Sequence, residues 1–272
     1  MILFGCSKPN HPTGGVWDCE HHSVCDKENP KILFSWARNA PSLSLPDNVG
    51  VAVGGDSGID NYVVQVHYNA KFTGEVLDYS GVVLNVTSLK PRYFADVLLM
   101  VSSAYYNIPP HMSEVALNIS CTYYGPTPLH IFAYRTHAHS LGRIITGYNI
   151  LNDQWTLIGK GNPQWPQRFY PTTPEVVAEP GSILAAQCIF NSTTRDTVTY
   201  IGAHGKNEMC NFYMYIYVES EYGTMLKQLG ECLDSNDTKL FAKYPAEARK
   251  PLERNPLLEM EANMTMERFG EN

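Results

Sequence analysis

The stretch Pro128-Leu-His-Ile-Phe-Ala-Tyr-Arg-Thr-His-Ala-His139 has the character of a β-strand. With a period of two, Arg135, His137 and His139 share one face, and the two imidazoles can reach a common point. The same strand-like character recurs on both sides of it. VGVAVG from Val49, NYVVQVHYNA from Asn61, SGVVLNVTSL from Ser80 and VALNISCTYY from Val115 precede or flank it; SILAAQCIF from Ser182, TVTYIGA from Thr197 and MCNFYMYIYVES from Met209 follow. Proline, glycine and Asn/Asp turns separate these runs, and only residues 224–231 and 246–252 suit short helices. The pattern predicts an all-β protein built as an antiparallel sandwich or barrel.

The segment Tyr106-Asn-Ile-Pro-Pro-His-Met-Ser113 is the best internal boundary, because paired prolines interrupt a ladder just before the next strand. It divides the chain into a first unit, residues 1–113, a second, residues 114–252, and a polar, methionine-containing tail, residues 253–272. A length of 272 residues suits either two such units or one large all-β domain. A formal net charge of -7 and the lack of any long basic run exclude a phosphate-tracking surface, so nucleic acid is not an expected partner.

No window is apolar for long enough to make a membrane span, and the opening MILFGCSKPNHP lacks the basic start and apolar core of a secretion signal. Yet Asn85-Val-Thr, Asn118-Ile-Ser, Asn191-Ser-Thr, Asn236-Asp-Thr and Asn263-Met-Thr match the glycosylation sequon. Seven cysteines without CxxC spacing likewise suit an oxidising compartment. An odd count leaves at least one cysteine without an intrachain partner. Secretory chemistry, a missing signal and an odd cysteine together fit a chain whose N-terminus is absent; a reduced cytosolic protein with chance sequons is the alternative.

The HxH of His137 and His139 is a recurrent way to hold two nitrogen ligands, although two histidines on a solvated sheet face have the same pattern. Met209 lies in the turn GAHGKNEMCN directly before an aromatic strand. A thioether added to two imidazoles favours copper, especially Cu(I), over magnesium or calcium, whereas a packing role needs no metal at all. His67, in VVQVHYN, shares a strand face with Gln65 and is by itself an ordinary sheet histidine. The pair His21-His22 lies in a polar segment between two cysteines and is not assigned to a metal; His11 and His111 lie in turn-rich sequence.

Several motifs in order resemble the copper type II ascorbate-dependent monooxygenases. They are Leu3-Phe-Gly-Cys6, Trp36-Ala-Arg-Asn-Ala-Pro41, Val53-Gly-Gly55, Gln65-Val-His-Tyr68, the run from His130 to His139, Gln154-Trp-Thr-Leu-Ile-Gly159, Phe169-Tyr-Pro171 and Glu208-Met-Cys-Asn211. The resemblance covers residues 1 to about 248. It implies two antiparallel jelly-roll-like β-sandwich domains, the first incomplete at its N-terminus. Tyr134-Arg135 before the HxH, with Asn211 and Tyr213 after the methionine, is more similar to the members that hydroxylate peptidylglycine than to the dopamine or tyramine β-hydroxylases.

The resemblance implies an oxygen-activating copper on His137, His139 and Met209, and a substrate carboxylate held by Arg135, Asn211 and Tyr213. It assigns His67 to a second, electron-supplying copper, the other two ligands of which are a His-His pair expected immediately upstream of Met1. It also implies pairing of Cys6 with Cys25, Cys121 with Cys232 and Cys188 with Cys210, leaving Cys19 alone. The implied reaction converts a peptide ending in glycine, molecular oxygen and two electrons from ascorbate into the α-hydroxyglycine peptide and water, the first step of C-terminal amidation. Two coppers per complete enzyme and a location in the secretory vesicle lumen or outside the cell follow from the same resemblance; with no lyase domain seen after residue 272, the amide-forming second step is expected to need a separate amidating lyase. An aromatic-amine β-hydroxylase and a catalytically impaired copper- or peptide-binding fragment are the rival readings.

Overall fold

A computed structural model describes the chain except residues 12–14, 20–22, 28–29, 38–39, 41, 69–71, 230, 234–236 and 254–272. His21, His22, Asn236, Asn263 and all of the expected tail but Glu253 therefore lie outside the described residues. The described chain is predominantly β. Strands β1 (Ile2–Cys6), β2 (Lys31–Ser35) and β4 (Asn61–Gln65) form a three-stranded antiparallel sheet in the order β2-β1-β4.

A four-stranded sheet has the order β10-β9-β12-β7, from β7 (Val115–Thr122), β9 (Gly142–Leu151), β10 (Gln154–Gly161) and β12 (Ile183–Phe190). A five-stranded sheet has the order β11-β8-β14-β5-β3, from β3 (Val49–Gly50), β5 (Tyr93–Val101), β8 (Leu129–His137), β11 (Tyr170–Ala178) and β14 (Asn211–Glu219). The short β6 (Asn107–Ile108) and β13 (Thr199–Tyr200) pair with each other. None of these sheets closes into a barrel.

The main core lies between the four- and five-stranded sheets. Ile119, Ile145, Leu184 and Phe190 from one meet Leu98, Met100, Ile131, Phe212, Met214 and Ile216 from the other. Apolar burial of this kind is the dominant favourable contribution to the fold. Gly147 is part of the fit: a Cβ there would stand 2.3 Å from the ring of Phe212, so the bare backbone makes room for a fully buried aromatic. The hairpin between β9 and β10 turns on Asn152 and Asp153, at φ 53° and 61°, the left-handed geometry that matches strand twist in a two-residue loop.

The other face of the five-stranded sheet carries Ala95, Ala133, Phe169, Tyr213 and Tyr215, and here the N-terminal sheet docks. Ile32 packs against this cluster, the Tyr215 hydroxyl donates to Leu33 O at 3.0 Å, and Lys31 Nζ meets Asp96 Oδ2 at 2.5 Å. Burial lifts the Asp96 carboxyl above its ordinary value, with Lys31 opposing the shift.

The sequence expectations fail in three places. Residues 80–89 form no strand, and Val83 and Val86 are 95 % and 75 % exposed: β-branched side chains favour a strand only where a ladder and a packed face are provided. Conversely β1, β2, β5, β9, β10 and β11 are not among the predicted runs; β5 and β9, with no exposed residue, lack the alternation that marks a half-buried strand, and β10 is an edge strand with a largely exposed first half. The expected helices are 3₁₀ pieces, the nine-residue Ser220–Gln228 and the four-residue Ala246–Arg249, with one short α-helix, Thr238–Ala242. Moreover β5 precedes the proline pair yet pairs along its whole length with β14.

Candidate functional site

The end of β8 and the start of β14 lie side by side, with Arg135 opposite Tyr213 and His137 opposite Asn211. This register sets Arg135, His137, Asn211 and Tyr213 on the sheet face toward the N-terminal sheet. The strand ends at His137, so His139 is not held by strand geometry as the period-two reading assumed. The two rings nonetheless lie 5.4 Å apart at 80°.

What holds them is hydrogen bonding. His137 Nδ1 lies 2.7 Å from Gln167 Oε1, and His139 Nδ1 lies 2.8 Å from Asn207 O. Both partners are oxygen acceptors, so each ring donates from Nδ1 and keeps its lone pair on Nε2, the tautomer that a metal-ligating histidine needs. Glu208, fully buried, accepts from the backbone N–H groups of Leu141 at 2.6 Å, His139 at 2.8 Å and Met209 at 3.3 Å. Burial raises its pKa, while these three N–H groups favour the ionised form.

One side chain thus ties the chain after the HxH to the residue that carries the thioether. The Cys188–Cys210 disulfide fixes the same turn to the opposite sheet. Met209 is half-buried, and Asn211 Nδ2 approaches its sulfur at 3.9 Å. Among the described residues there is no group of three or more His, Cys, Asp and Glu able to hold a metal. Two imidazoles presenting Nε2 beside a thioether are instead a soft donor set, and that chemistry fits copper.

Arg135 is 4 % exposed. Its Nε donates to Gln167 O at 3.2 Å and its Nη2 to Gln167 Oε1 at 3.1 Å, and the guanidinium lies 4.9 Å over the Tyr213 ring. Burial pulls its pKa down and Tyr213 opposes that shift. Among the described residues no carboxylate forms an ion pair with it. Asn211 Nδ2 donates to the Tyr213 hydroxyl at 3.1 Å, while Asn211 Oδ1 is buried without a partner. A buried cation beside a buried unsatisfied amide is costly unless an anion with a donor group completes it.

His67 lies two residues beyond the end of β4, not on its face with Gln65 as expected. Burial first, then the charge of the chain's amino terminus, lowers its pKa. That amino group donates to Trp36 O at 2.9 Å, and Gln65 Nε2 donates to Cys19 Sγ at 3.1 Å. Cys6–Cys25 and Cys121–Cys232 are the other disulfides, and Cys19 is unpaired. Gln167 and Glu208 carry no role in the sequence reading. Gln167 stands in the turn-rich GNPQWPQRF, where nothing marks it, and Glu208 is visible only as the acidic neighbour of Met209.

Residues 93–245 match the model of the C-terminal domain of the copper type II ascorbate-dependent monooxygenases, and residues 1–73 match its N-terminal domain. The chain belongs to this family. It is 42% identical over 258 residues to peptidylglycine alpha-amidating monooxygenase of Rattus norvegicus, covering 94% of this chain and 26% of that protein. The corresponding protein of Mus musculus is 41% identical over 254 residues, with 93% and 25% covered. Tyramine beta-hydroxylase of Caenorhabditis briggsae is 28% identical over 233 residues, with 79% and 37% covered. The chain thus spans about a quarter of the length of the first two relatives. Family membership implies use of copper and ascorbate.

Proposed function

We propose that this chain is part of a monooxygenase that hydroxylates the α-carbon of a C-terminal glycine in peptides. The observation that carries the reading is the buried Arg135, without a carboxylate partner among the described residues, set with Asn211 and Tyr213 on the sheet face that bears His137. A planar guanidinium grips a carboxylate through two parallel hydrogen bonds, and Gln167 already fixes its orientation from the other side. The Tyr213 hydroxyl and Asn211 supply further polar contacts to the same carboxylate. The glycine α-carbon is then held toward the histidine pair.

His137, His139 and Met209 are the residues that would hold the oxygen-activating copper. Copper, when bound, supplies the one-electron and oxygen chemistry that side chains lack. The protein's part is orientation: Gln167 and Asn207 fix the imidazole tautomers, and Glu208 fixes the spacing of His139 and Met209. His67 is the candidate ligand for a second copper. Ascorbate is the reductant, oxygen the co-substrate, and an amidating lyase activity would carry out the second amidation step. Three disulfides and the exposed sequon at Asn85 support a location in the secretory pathway.

The same proposal covers the architecture. The two-unit division is supported by the two family models, and we place the junction between residues 73 and 93, upstream of the proline pair, because β5 belongs to the five-stranded sheet. Repeated crossing of the chain between the four- and five-stranded sheets supports a jelly-roll connection for the second unit.

The test is hydroxylation of a glycine-extended peptide with oxygen and ascorbate, by this sequence joined to the upstream residues that complete the second copper site. Arg135→Gln is expected to raise KM by roughly ten- to a hundredfold, the loss of a charge-assisted pair of about 1.5–3 kcal/mol. A peptide ending in a carboxamide should lose the same discrimination in the parent protein. Turnover of tyramine that is indifferent to Arg135→Gln would transfer the assignment to an amine hydroxylase. Peptide binding without product in a copper-loaded protein would mark a binding module.

A further inference from the structure

The face of β14 that meets the N-terminal sheet carries a tyrosine at every second position, Tyr213, Tyr215 and Tyr217. Phenylalanines fill the gaps between them. Phe169 lies 6.5 Å from the Tyr213 ring and 5.1 Å from that of Tyr215, and Phe132 lies 5.2 Å from Tyr215 and 6.0 Å from Tyr217, all between ring centroids. Phe132 stands there because the register shifts between Tyr215 and Ile216: Ala133 opposes Tyr215, Ile131 opposes Ile216, and Phe132 is the extra residue of a bulge. The aromatic row begins at Arg135 and Asn211, beside the histidine pair. It ends at a half-exposed edge.

The three phenols differ in what surrounds them. Tyr213 lies under the Arg135 guanidinium, 4.9 Å away, and a cation there opposes the loss of an electron. The buried Tyr215 donates its hydroxyl to a backbone carbonyl, Leu33 O, which cannot accept a proton outright. Only Tyr217 donates to a carboxylate, Glu175 Oε2 at 2.8 Å. The other oxygen of that carboxylate is held by His130 Nδ1 at 2.9 Å, and the His130 ring stacks on Tyr217 at 4.7 Å and 4°. The His130 and Glu175 side chains are 33% and 37% exposed, within reach of small solutes.

We propose that Tyr213, Tyr215 and Tyr217 form a relay that drains a one-electron oxidant from the histidine pair to Tyr217 at the surface when no peptide is bound. This rests on the reading of His137, His139 and Met209 as an oxygen-activating site. The oxidant gains one electron from Tyr213, Tyr215 refills Tyr213, and Tyr217 refills Tyr215. As its electron leaves, Tyr217 passes its phenolic proton to Glu175 and becomes a neutral phenoxyl radical. An ene-diol reductant such as ascorbate then returns one electron and one proton to the Tyr217 oxygen, Glu175 releases its proton to solvent, and the reductant leaves as its one-electron-oxidised form. The function is protection of the imidazoles and the thioether from oxidation in unproductive cycles.

The relay is testable without copper. A ruthenium photosensitiser is attached at Lys206→Cys, in the turn before Met209, on a Cys19→Ser background, and oxidised by a flash and an external acceptor. A phenoxyl signal on Tyr217 is expected by electron paramagnetic resonance. It should be lost in Tyr217→Phe and in Tyr215→Phe, which keep the packed rings and remove only the phenols. Absence of the signal from the parent protein, or its persistence in Tyr215→Phe, would overturn the relay. In the copper-loaded, peptide-free protein with oxygen and ascorbate, oxidation of His137 and His139 read by peptide mass should rise in both variants; unchanged damage at equal copper content would overturn the protective role. If no copper binds at all, the site assignment fails, and the flash experiment still decides the relay.

Discussion

Replacing Glu208 with Gln tests whether one buried carboxylate builds the site. In the parent structure it accepts three backbone N–H groups, from Leu141, His139 and Met209. Glutamine has one acceptor oxygen. If that oxygen stays with Leu141, the shortest contact, the amide NH₂ is turned toward the N–H groups of His139 and Met209, and two buried donors lose their acceptor. At about 1–3 kcal/mol for each orphaned group the loss is about 2–6 kcal/mol. Removing the cost of burying a charge, the cause of the raised Glu208 pKa, offsets part of it, leaving about 2–4 kcal/mol.

Urea unfolding with an unchanged m-value measures that loss, and copper titration of the folded variant measures the effect on the donor set. Glu208→Asp, which keeps the charge on a shorter arm, should fall between parent and Gln variant in both assays. A Gln variant within about 0.5 kcal/mol of the parent, with undiminished copper affinity, would refute the reasoning, since surface-like substitutions have effects of that size.

Gly147→Ala should destabilise by about 1–3 kcal/mol, because its Cβ meets the Phe212 ring at 2.3 Å in a packed core; a thermal melt at the parental temperature would contradict this. Asp96 gives a pH dependence with a defined sign. Burial raises its folded pKa above that of the carboxyl in the unfolded chain, so the folded state binds more protons in the window between the two, and stability falls as pH rises through it. Asp96→Asn should flatten that part of the stability–pH curve, read by urea midpoints at successive pH values.

The β class, the HxH, the copper-favouring thioether and the motif order were legible because each depends on residue type and local spacing. Residues 80–89 misled for the same reason: their apolar pattern was real, but no neighbouring strand pairs with it. The strands β5 and β9 are hidden from a period-two reading because burial on both faces erases alternation. The proline pair follows β6, and β5, upstream of it, pairs along its whole length with β14.

The sequence by itself determined which donors this protein has: two imidazoles two residues apart, a thioether beside a cysteine, and an arginine on the strand that leads to them. It also carried the family resemblance and, through that resemblance, the cysteine pairs. Tertiary structure decided what those donors can do. The β8–β14 register sets Arg135 against Tyr213, Gln167 arrives from a separate turn to orient both Arg135 and His137, and Glu208 reaches back to hold His139. These are contacts between residues about 30 to 80 positions apart, and their partners are a common amide and a common acid. Nothing local distinguishes such residues from solvated ones until the sheets close around them and burial makes every hydrogen bond count.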